Sequence, residues 1–413
     1  MATLVKILTG MLSLKIVALY TGPQGVAILG QFMALVNIFA VIAGGGITIG
    51  VIKYVAEYAS SADLANFLAS ASVYTLFFSV LTLLGGFIFS TVLSTWILGT
   101  DEYAYLIRWL SVAQLFIAMH LLLCAIINGF SKIRILVSIT ILSSLISLIL
   151  ISVIAIYFKL KGTLFAYVAS QGLAIGISLA LCYRQQWFKL LFSMRAKARH
   201  LLNLSRYSLM TIVSALTVPV AQILVRNDLN DLFGWEAVGY WQAVLRLSDA
   251  YLLFVTTALT AYYLPRLAQL HTLAALKQEI GQSYKILMPV MALILIIIYI
   301  ARDLIIHVLY SDSFAPASNL FAYQLLGDLF RVAGWLFTYL LLAKSWTKMY
   351  ISTEIILSIL FVAISHFFAR HYGLVGITYA FALAYFLYWL LMASVAIIYF
   401  KKEQQLCPLI SPL

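Results

Sequence analysis

Trp241-Gln-Ala-Val-Leu-Arg-Leu-Ser-Asp-Ala-Tyr-Leu-Leu-Phe254 lies in the middle of an apolar segment running from about Ala237 to Tyr263. The segment is long enough to cross a bilayer, for which about 20 apolar residues suffice. It nonetheless carries Arg246 and Asp249, three residues apart and therefore on one face of a helix. A charge at bilayer depth costs about 3 kcal/mol or more, and persists mainly where it faces protein or water. Phe321-Ala-Tyr-Gln-Leu-Leu-Gly-Asp-Leu-Phe-Arg331 repeats the arrangement, with Asp328 and Arg331. Two membrane helices with inward charge pairs predict a polar cavity.

The rest of the chain reads as a frame for that cavity. Of 413 residues, 64% are hydrophobic and only 10% charged, and the mean hydropathy is +1.04. A soluble domain is about 45–50% apolar and about 25% charged, so too little polar surface is present here for a water-soluble shell. The expected class is an all-α polytopic membrane protein. The net charge of +12 is spread over short loops between apolar runs. Such a distribution sets membrane topology and calls for no nucleic acid as partner.

Twelve apolar segments can be marked, at about 3–21, 26–50, 67–94, 104–127, 135–157, 162–183, 207–227, 237–263, 285–308, 318–342, 349–369 and 374–400. The first contains Lys6 and Lys15 and runs into a Gly22-Pro23 turn, and so reads as a span and not a cleavable signal. Loops on one side hold Lys53, Lys132, Arg134, Lys344, Lys348 and a dense basic stretch at 184–206 that includes Arg195. Loops on the other hold Asp101, Glu102, Asp228, Asp231, Glu236 and Asp312, with Lys159, Lys161 and Arg370 as exceptions. The basic side is cytoplasmic by the positive-inside rule, which puts both termini inside.

The stretch 184–206 falls near the midpoint. It divides the chain into a six-helix bundle at 1–183, a basic cytoplasmic linker, a second six-helix bundle at 207–400 and a tail at 401–413. A shift of 211 residues places Gln31 on Gln242, Lys15 on Arg226 and Asp101 on Asp312. Two halves that start on the same side are parallel repeats, related by a pseudo-two-fold along the membrane normal, with the site between them. Helix breakers fall at Gly44-Gly45-Gly46 and Gly50 in span 2, Pro219 in span 7 and Pro289 in span 9. Gly45, Pro219 and Pro289 are candidate hinges. The competing explanation is close packing through small residues and tolerated kinks.

No enzyme site stands out. The histidines, His120, His200, His271, His307, His366 and His371, form no metal-ligand spacing. Cys124, Cys182 and Cys407 form no disulfide framework. Neither a Walker-type loop nor a soluble domain for ATP is evident, so no metal or cofactor is expected. The intramembrane charges are the informative set: Lys15, Arg226, Arg246, Asp249, Asp328, Arg331 and Glu354. The Arg246/Asp249 and Asp328/Arg331 pairs line a polar path or act as structural ties. Lys15 and Arg226 have no evident local partner. Such cations favour an anionic substrate, above all a phosphate, which arginine holds bidentately. Glu354 is a candidate proton or sodium site, a counter-ion for an arginine, or an interfacial residue. Trp241, Trp335, Tyr323 and Tyr251 either stack on sugars or pack the bundle.

Several stretches resemble the Wzx-type flippases of the multidrug/oligosaccharidyl-lipid/polysaccharide exporter superfamily. They are Gly22-Pro-Gln-Gly-Val-Ala-Ile-Leu-Gly-Gln-Phe32, the run from Gly44 to Tyr58, Val218-Pro-Val-Ala, Gly239-Tyr-Trp-Gln with Ser248-Asp-Ala-Tyr251, Tyr263-Leu-Pro-Arg266, Phe321 to Asp328, and Leu342-Ala-Lys344. The resemblance covers nearly the whole chain, although the chain begins a dozen or so residues late against the family pattern.

The resemblance implies two six-helix bundles forming a V around a central cavity. It also implies movement of undecaprenyl diphosphate bearing a short glycan, from the cytoplasmic to the periplasmic leaflet of the bacterial inner membrane, for surface polysaccharides such as O-antigen or enterobacterial common antigen. Alternating access is the expected mechanism. On the reading from charge, Arg246, Arg331, Lys15 and Arg226 engage the diphosphate while Asp249 and Asp328 orient the arginines. The expected partners are the lipid-linked glycan, the bilayer and other assembly proteins, with the chain working as a monomer. The alternatives are a cation-coupled multidrug exporter on the same fold and a membrane glycan polymerase or ligase.

Overall fold

The computed structural model describes residues 2–406 except Ala62, residues 193–195, His271 and Ser345. Arg195, His271, Cys407 and the remainder of the tail from 407 onward therefore lie outside the described residues. Nearly everything described is helix. The α-helices begin with α1 (Ala2–Ala43), α2 (Thr48–Tyr58), α3 (Leu64–Ile88), α4 (Ser90–Leu98), α5 (Ala104–Gly129), α6 (Ile133–Cys182) and α7 (Ala198–Ala258). They are followed by α8 (Leu264–Gln269), α9 (Leu273–Ile300), α10 (Arg302–Leu309), α11 (Phe321–Ala343), α12 (Thr347–Tyr372) and α13 (Gly376–Leu406). Among the described residues, eight stretches are long and apolar enough to cross a membrane.

Several of these stretches are too long for one crossing. The 50 residues of α6 would extend about 75 Å as a straight helix, against a hydrocarbon core of about 30 Å. Non-helical residues interrupt them: Gly22 (φ 65°) in α1, Lys159 (φ 49°) in α6 and Gly234 (φ 80°) in α7. Gly373 (φ 67°) stands between α12 and α13. Side-chain contacts across three of these breaks show that the chain folds back. Ser147 and Ser170 hydroxyls meet at 3.1 Å although 23 residues apart, where a straight helix would part them by about 35 Å. Arg226 reaches Gln242, 16 residues on, and the Phe368 and Tyr379 rings lie 6.5 Å apart. These stretches are helical hairpins.

The chain divides into two compact units, Met1–Ile223 and Leu224–Leu413, with the boundary inside α7. In the first unit α1, α3, α5 and α6 pack together, around a core that includes Ile47, Val51, Val55, Phe67, Leu68, Leu123 and Ile126. Lys161, an exception to the charge rule, pairs with Glu102 at 3.0 Å. In the second unit α11 is central, packed by α9, α12 and α13, with Leu336, Leu340, Tyr263 and Tyr388 among the buried core. Large apolar side chains face outward along the bundle, as Phe77 and Ile88 on α3, Tyr157 and Phe158 on α6, and Leu293, Ile296 and Ile300 on α9. An apolar exterior of this extent belongs in lipid.

The glycine run is not inside a helix. It forms the break between α1 and α2, where Gly45 (φ 65°) and Gly46 (φ 62°) adopt left-handed geometry. Ser208 at the start of α7 donates its hydroxyl to the Gly45 carbonyl at 2.6 Å. A Cβ on Gly46 would stand 2.8 Å from the Ser208 carbonyl oxygen. Close backbone approach therefore accounts for glycine here, with or without motion. Pro219 and Pro289 lie inside α7 and α9, and both helices continue through them.

The basic stretch before α7 is anchored at its far end within the first unit. The Lys197 backbone N–H donates to the Ser70 hydroxyl at 3.0 Å and its ammonium donates to Asp63 Oδ1 at 2.6 Å. His200 Nε2 lies 3.0 Å from Asp63 Oδ2, its ring buried edge-on to Tyr58 and Phe67. The Lys197 ammonium, then the Asn66 amide, hold the Asp63 carboxyl down at about 2. A depressed carboxyl contributes stability that is present above its unfolded value, near 3.9, and is lost as pH falls through about 2. The anchor is thus intact across the neutral and mildly acidic range. Asp63→Asn is expected to release it at neutral pH, seen as faster tryptic cleavage at Lys197 and Arg199 in purified protein. Unchanged cleavage would remove the anchoring role.

Candidate functional site

The second unit gathers most of the charged residues singled out from the sequence. α7 contributes Arg226, Arg246 and Asp249, α11 contributes Asp328 and Arg331, and α12 contributes Glu354. α7 and α11 run side by side in the same direction. Ser248 meets Asp328 and, in the π-helical turn Leu259–Tyr263 that continues α7, Thr260 meets Tyr339, at sequence offsets of 80 and 79. This register brings the two charge-bearing faces to one level of the unit.

Asp328 is fully buried. Its Oδ2 accepts from the Ser248 hydroxyl at 2.6 Å and from the Tyr251 hydroxyl. Its Oδ1 lies 4.0 Å from Arg331 Nη1, beyond hydrogen-bond distance. The carboxylate therefore ties α11 to α7 through neutral donors, while Arg331 is only loosely engaged. The guanidinium of Arg331 lies 5.0 Å from the Trp335 ring centroid and 5.3 Å from that of Tyr385. Two aromatic neighbours restrain the cation and partly replace its water. With one-fifth of its side chain exposed, Arg331 keeps access to the surface of the unit.

Arg246 Nη1 lies 3.8 Å from Asp249 Oδ2, a second long ion pair. Asp249 is about half exposed, so water screens that pair. Arg226, for which the sequence offered no evident local partner, has one farther along the chain. It is buried, and its Nε donates to Gln242 Oε1 at 2.9 Å across the hairpin at Gly234. The partner escaped notice because the two residues are 16 apart in sequence and become neighbours only after the chain reverses. Arg226 also interacts electrostatically with Arg246 and Asp249, which makes the three one local charge group. Glu354 accepts from the Tyr388 hydroxyl at 3.3 Å, and that hydroxyl also meets Thr338 Oγ1 at 2.9 Å. Arg331 acts on Glu354 electrostatically.

Lys15 is partly buried on α1, in the first unit. The aromatic candidates have separate fates. Trp241 is wholly buried against Phe361, Tyr323 packs edge-on to Tyr379, Tyr251 bonds to Asp328, and Trp335 lies against Arg331. Ser248, Tyr385, Tyr388 and Thr338 were not legible as site residues from the sequence. Each is a common residue type, and its partner lies on another helix. Among the described residues, no group of three or more His, Cys, Asp or Glu side chains could hold a metal ion.

The arrangement offers three guanidinium groups within one membrane-spanning unit, two of them about 4 Å from a carboxylate three residues away on the same helix. Such groups can bind an anion by charge-assisted, bidentate hydrogen bonds.

Known proteins narrow the assignment. A family model described as "Polysaccharide biosynthesis protein" matches residues 1–271. The chain is 30% identical over 411 residues to the lipid III flippase of Escherichia coli (strain K12), covering 97% of each sequence. Among solved structures, an inward-facing multidrug resistance MATE family transporter of the MOP superfamily matches with a TM-score of 0.79 at 14% identity. That match covers 98% of this chain and 96% of the other. The lipid II flippase MurJ, in an inward closed conformation, matches with a TM-score of 0.77 at 16% identity, covering 97% and 88%. At these identities the two structures speak to the fold alone.

Proposed function

We propose, from the premise that the chain belongs to the polysaccharide biosynthesis protein family, that it carries a lipid-linked oligosaccharide across the inner membrane. It is a multi-pass membrane transporter, a flippase, and not an enzyme. The relative at 30% identity over nearly the whole length is a lipid III flippase. The substrate is undecaprenyl diphosphate bearing a short glycan, a unit of enterobacterial common antigen or O-antigen. The lipid tail stays in the bilayer, while the sugars and diphosphate pass through a polar path. Other surface-polysaccharide assembly proteins act beside it, and the chain works as a monomer.

The observation that carries this reading is the state of Arg331. A guanidinium kept in a membrane-spanning unit, flanked by Trp335 and Tyr385 and 4.0 Å from its carboxylate, is suited to an incoming anion. At that separation the pair is beyond hydrogen-bond distance, so the guanidinium N–H groups are not committed to Asp328. In the proposal Arg331 and Arg246 hold the diphosphate, Arg226 and Lys15 add positive potential, and Asp249 and Asp328 orient the arginines. The carrier presents this site to one leaflet and then the other, with Gly45, Pro219 and Pro289 as candidate bending points and Glu354 as a candidate coupling group.

Twelve crossings in two related halves remain the architecture we favour. The spacing supports it. Lys15 and Gln31 in the first half correspond to Arg226 and Gln242 in the second, 16 residues from cation to glutamine in each, and Gly22 falls one position before Gly234. In the second half that spacing closes into the Arg226–Gln242 hydrogen bond across the reversal. Both termini are cytoplasmic on this topology, with the basic stretch at 184–206 as the linker between halves 1–183 and 207–400 and the tail at 401–413.

The distinguishing experiment is a deletion strain. Loss of surface glycan with unchanged resistance to cationic drugs is expected. Drug hypersensitivity with normal surface glycan would favour a multidrug exporter and overturn the proposal.

A further inference from the structure

Buried polar atoms that lack partners are rare in folded proteins, and ordered water or an ion usually explains them. The second unit contains a group of them. Among the described residues, Gln324 Oε1 and Nε2, Asp328 Oδ1 and Trp241 Nε1 are buried side-chain atoms without a hydrogen-bond partner. Gln324, Asp328 and Trp241 are each fully buried. Gln324 and Asp328 lie four residues apart on α11, on one face of the helix and about 5–6 Å apart at their Cβ atoms. Trp241 precedes Ser248 by two helical turns. The offset of 80 that joins Ser248 to Asp328 sets Trp241 beside the turn Phe321–Gln324.

The chemistry of the set selects its ligand. Asp328 Oδ1 and Gln324 Oε1 accept hydrogen bonds, whereas Gln324 Nε2 and Trp241 Nε1 donate them. A metal cation would satisfy the acceptors and face two N–H groups. Water both donates and accepts, and an internal water needs two to four polar partners. We propose that Gln324, Trp241 and Asp328 hold a short file of ordered water inside the second unit, through which Asp328 Oδ1 takes up and releases a proton. Gln324 precedes Asp328 on α11, which starts just after the acidic loop at Asp312, so the file approaches Asp328 from that end of the helix.

The proton moves between water and the carboxylate oxygen, and no other bond changes. Asp328 Oδ2 stays with Ser248 and Tyr251, so the protonated form is held in the same place. The charged and titratable groups around it are Arg331 on its own helix, Tyr251 and Asp249 on α7 and Tyr385 on α13. Glu354 on α12 acts through Arg331. Neutralising Asp328 removes the carboxylate that faces Arg331 and leaves the guanidinium to an anionic ligand. By linkage, an anion on Arg331 raises the proton affinity of Asp328. This use of the proton in transport rests on the flippase reading, whereas the hydrated proton site does not.

The test is infrared difference spectroscopy of the reconstituted full chain, stepped between about pH 8 and 5, above the ordinary carboxylate values near 4, without substrate. A protonated-carboxyl band should appear on acidification and be absent in Asp328→Asn. Glu354→Gln should keep it. In Gln324→Leu the band should form, but its hydrogen–deuterium exchange should slow about tenfold, the effect of losing roughly one buried hydrogen bond. A band that survives in Asp328→Asn overturns the assignment to Asp328. Exchange unchanged in Gln324→Leu overturns the water file. Because no substrate is present, a positive result here beside a deletion strain with normal surface glycan would retain the proton site and remove the flippase reading.

Discussion

Arg331→Ala is expected to abolish transport, leaving a strain that depends on this chain without surface glycan. Two effects combine. Loss of the guanidinium removes the proposed charge-assisted hydrogen bonds to the diphosphate, each worth about 1.5–3 kcal/mol, so a bidentate contact amounts to a factor of a hundred or more. The same change leaves Asp328, fully buried, without the cation that faces its Oδ1, and a buried charge without compensation destabilises the fold. The variant should therefore be both inactive and less stable. A second substitution separates the two effects. In Arg331→Ala with Asp328→Asn the stranded charge is gone, so thermal stability and membrane level should recover while surface glycan does not. Recovery of both would make Arg331 a structural tie only. Arg331→Lys should fall between, because it keeps the charge but loses the planar fork that can hold a phosphate bidentately.

Gly46→Val is expected to give the largest loss of stability outside the charged site. The residue sits at φ 62°, where an L side chain costs about 1–2 kcal/mol. Its Cβ would stand 2.8 Å from the Ser208 carbonyl oxygen and 2.7 Å from Ile212 Cγ1. One of these is backbone, so relief requires movement of α7, and overpacking of this kind costs about 1–3 kcal/mol. Together they should destabilise by about 3 kcal/mol and lower the thermal midpoint in detergent by about 6–12 °C. Gly281→Ala is the control, since a Cβ there meets nothing within 4 Å. A Gly46→Val midpoint equal to that control would contradict the close-approach account of the glycine run.

The sequence carried the class of fold far more fully than the details of the site. Hydropathy marks membrane helices because lipid forces every span to be apolar and internally hydrogen-bonded. The break at Gly22-Pro23 was legible because glycine and proline punctuate helices. The reversal at Lys159 was visible only as a short gap between apolar runs, since a lysine at φ 49° carries no such signal. The glycine run was placed inside span 2 because its neighbours are apolar, yet it closes α1 where the backbone of α7 approaches. In the site, Arg246/Asp249 and Asp328/Arg331 were readable from their spacing of three. The stronger contacts of Asp328 were not. Ser248 and Tyr251 lie 80 and 77 residues away, and only the parallel register of α7 and α11 brings them to the carboxylate. Gln242 was aligned with Gln31 from the sequence, but its bond to Arg226 required knowledge that the chain turns at Gly234.

The central proposal is that arginines of the second unit bind the diphosphate of the substrate during its passage. Purified chain in liposomes, supplied with fluorescent undecaprenyl-diphosphate-linked glycan, measures that passage through the fraction of label accessible to an impermeant quencher. Protein-dependent translocation that disappears in both Arg331→Ala/Asp328→Asn and Arg246→Ala is the expected result. Translocation at the unmodified rate in both variants would contradict it.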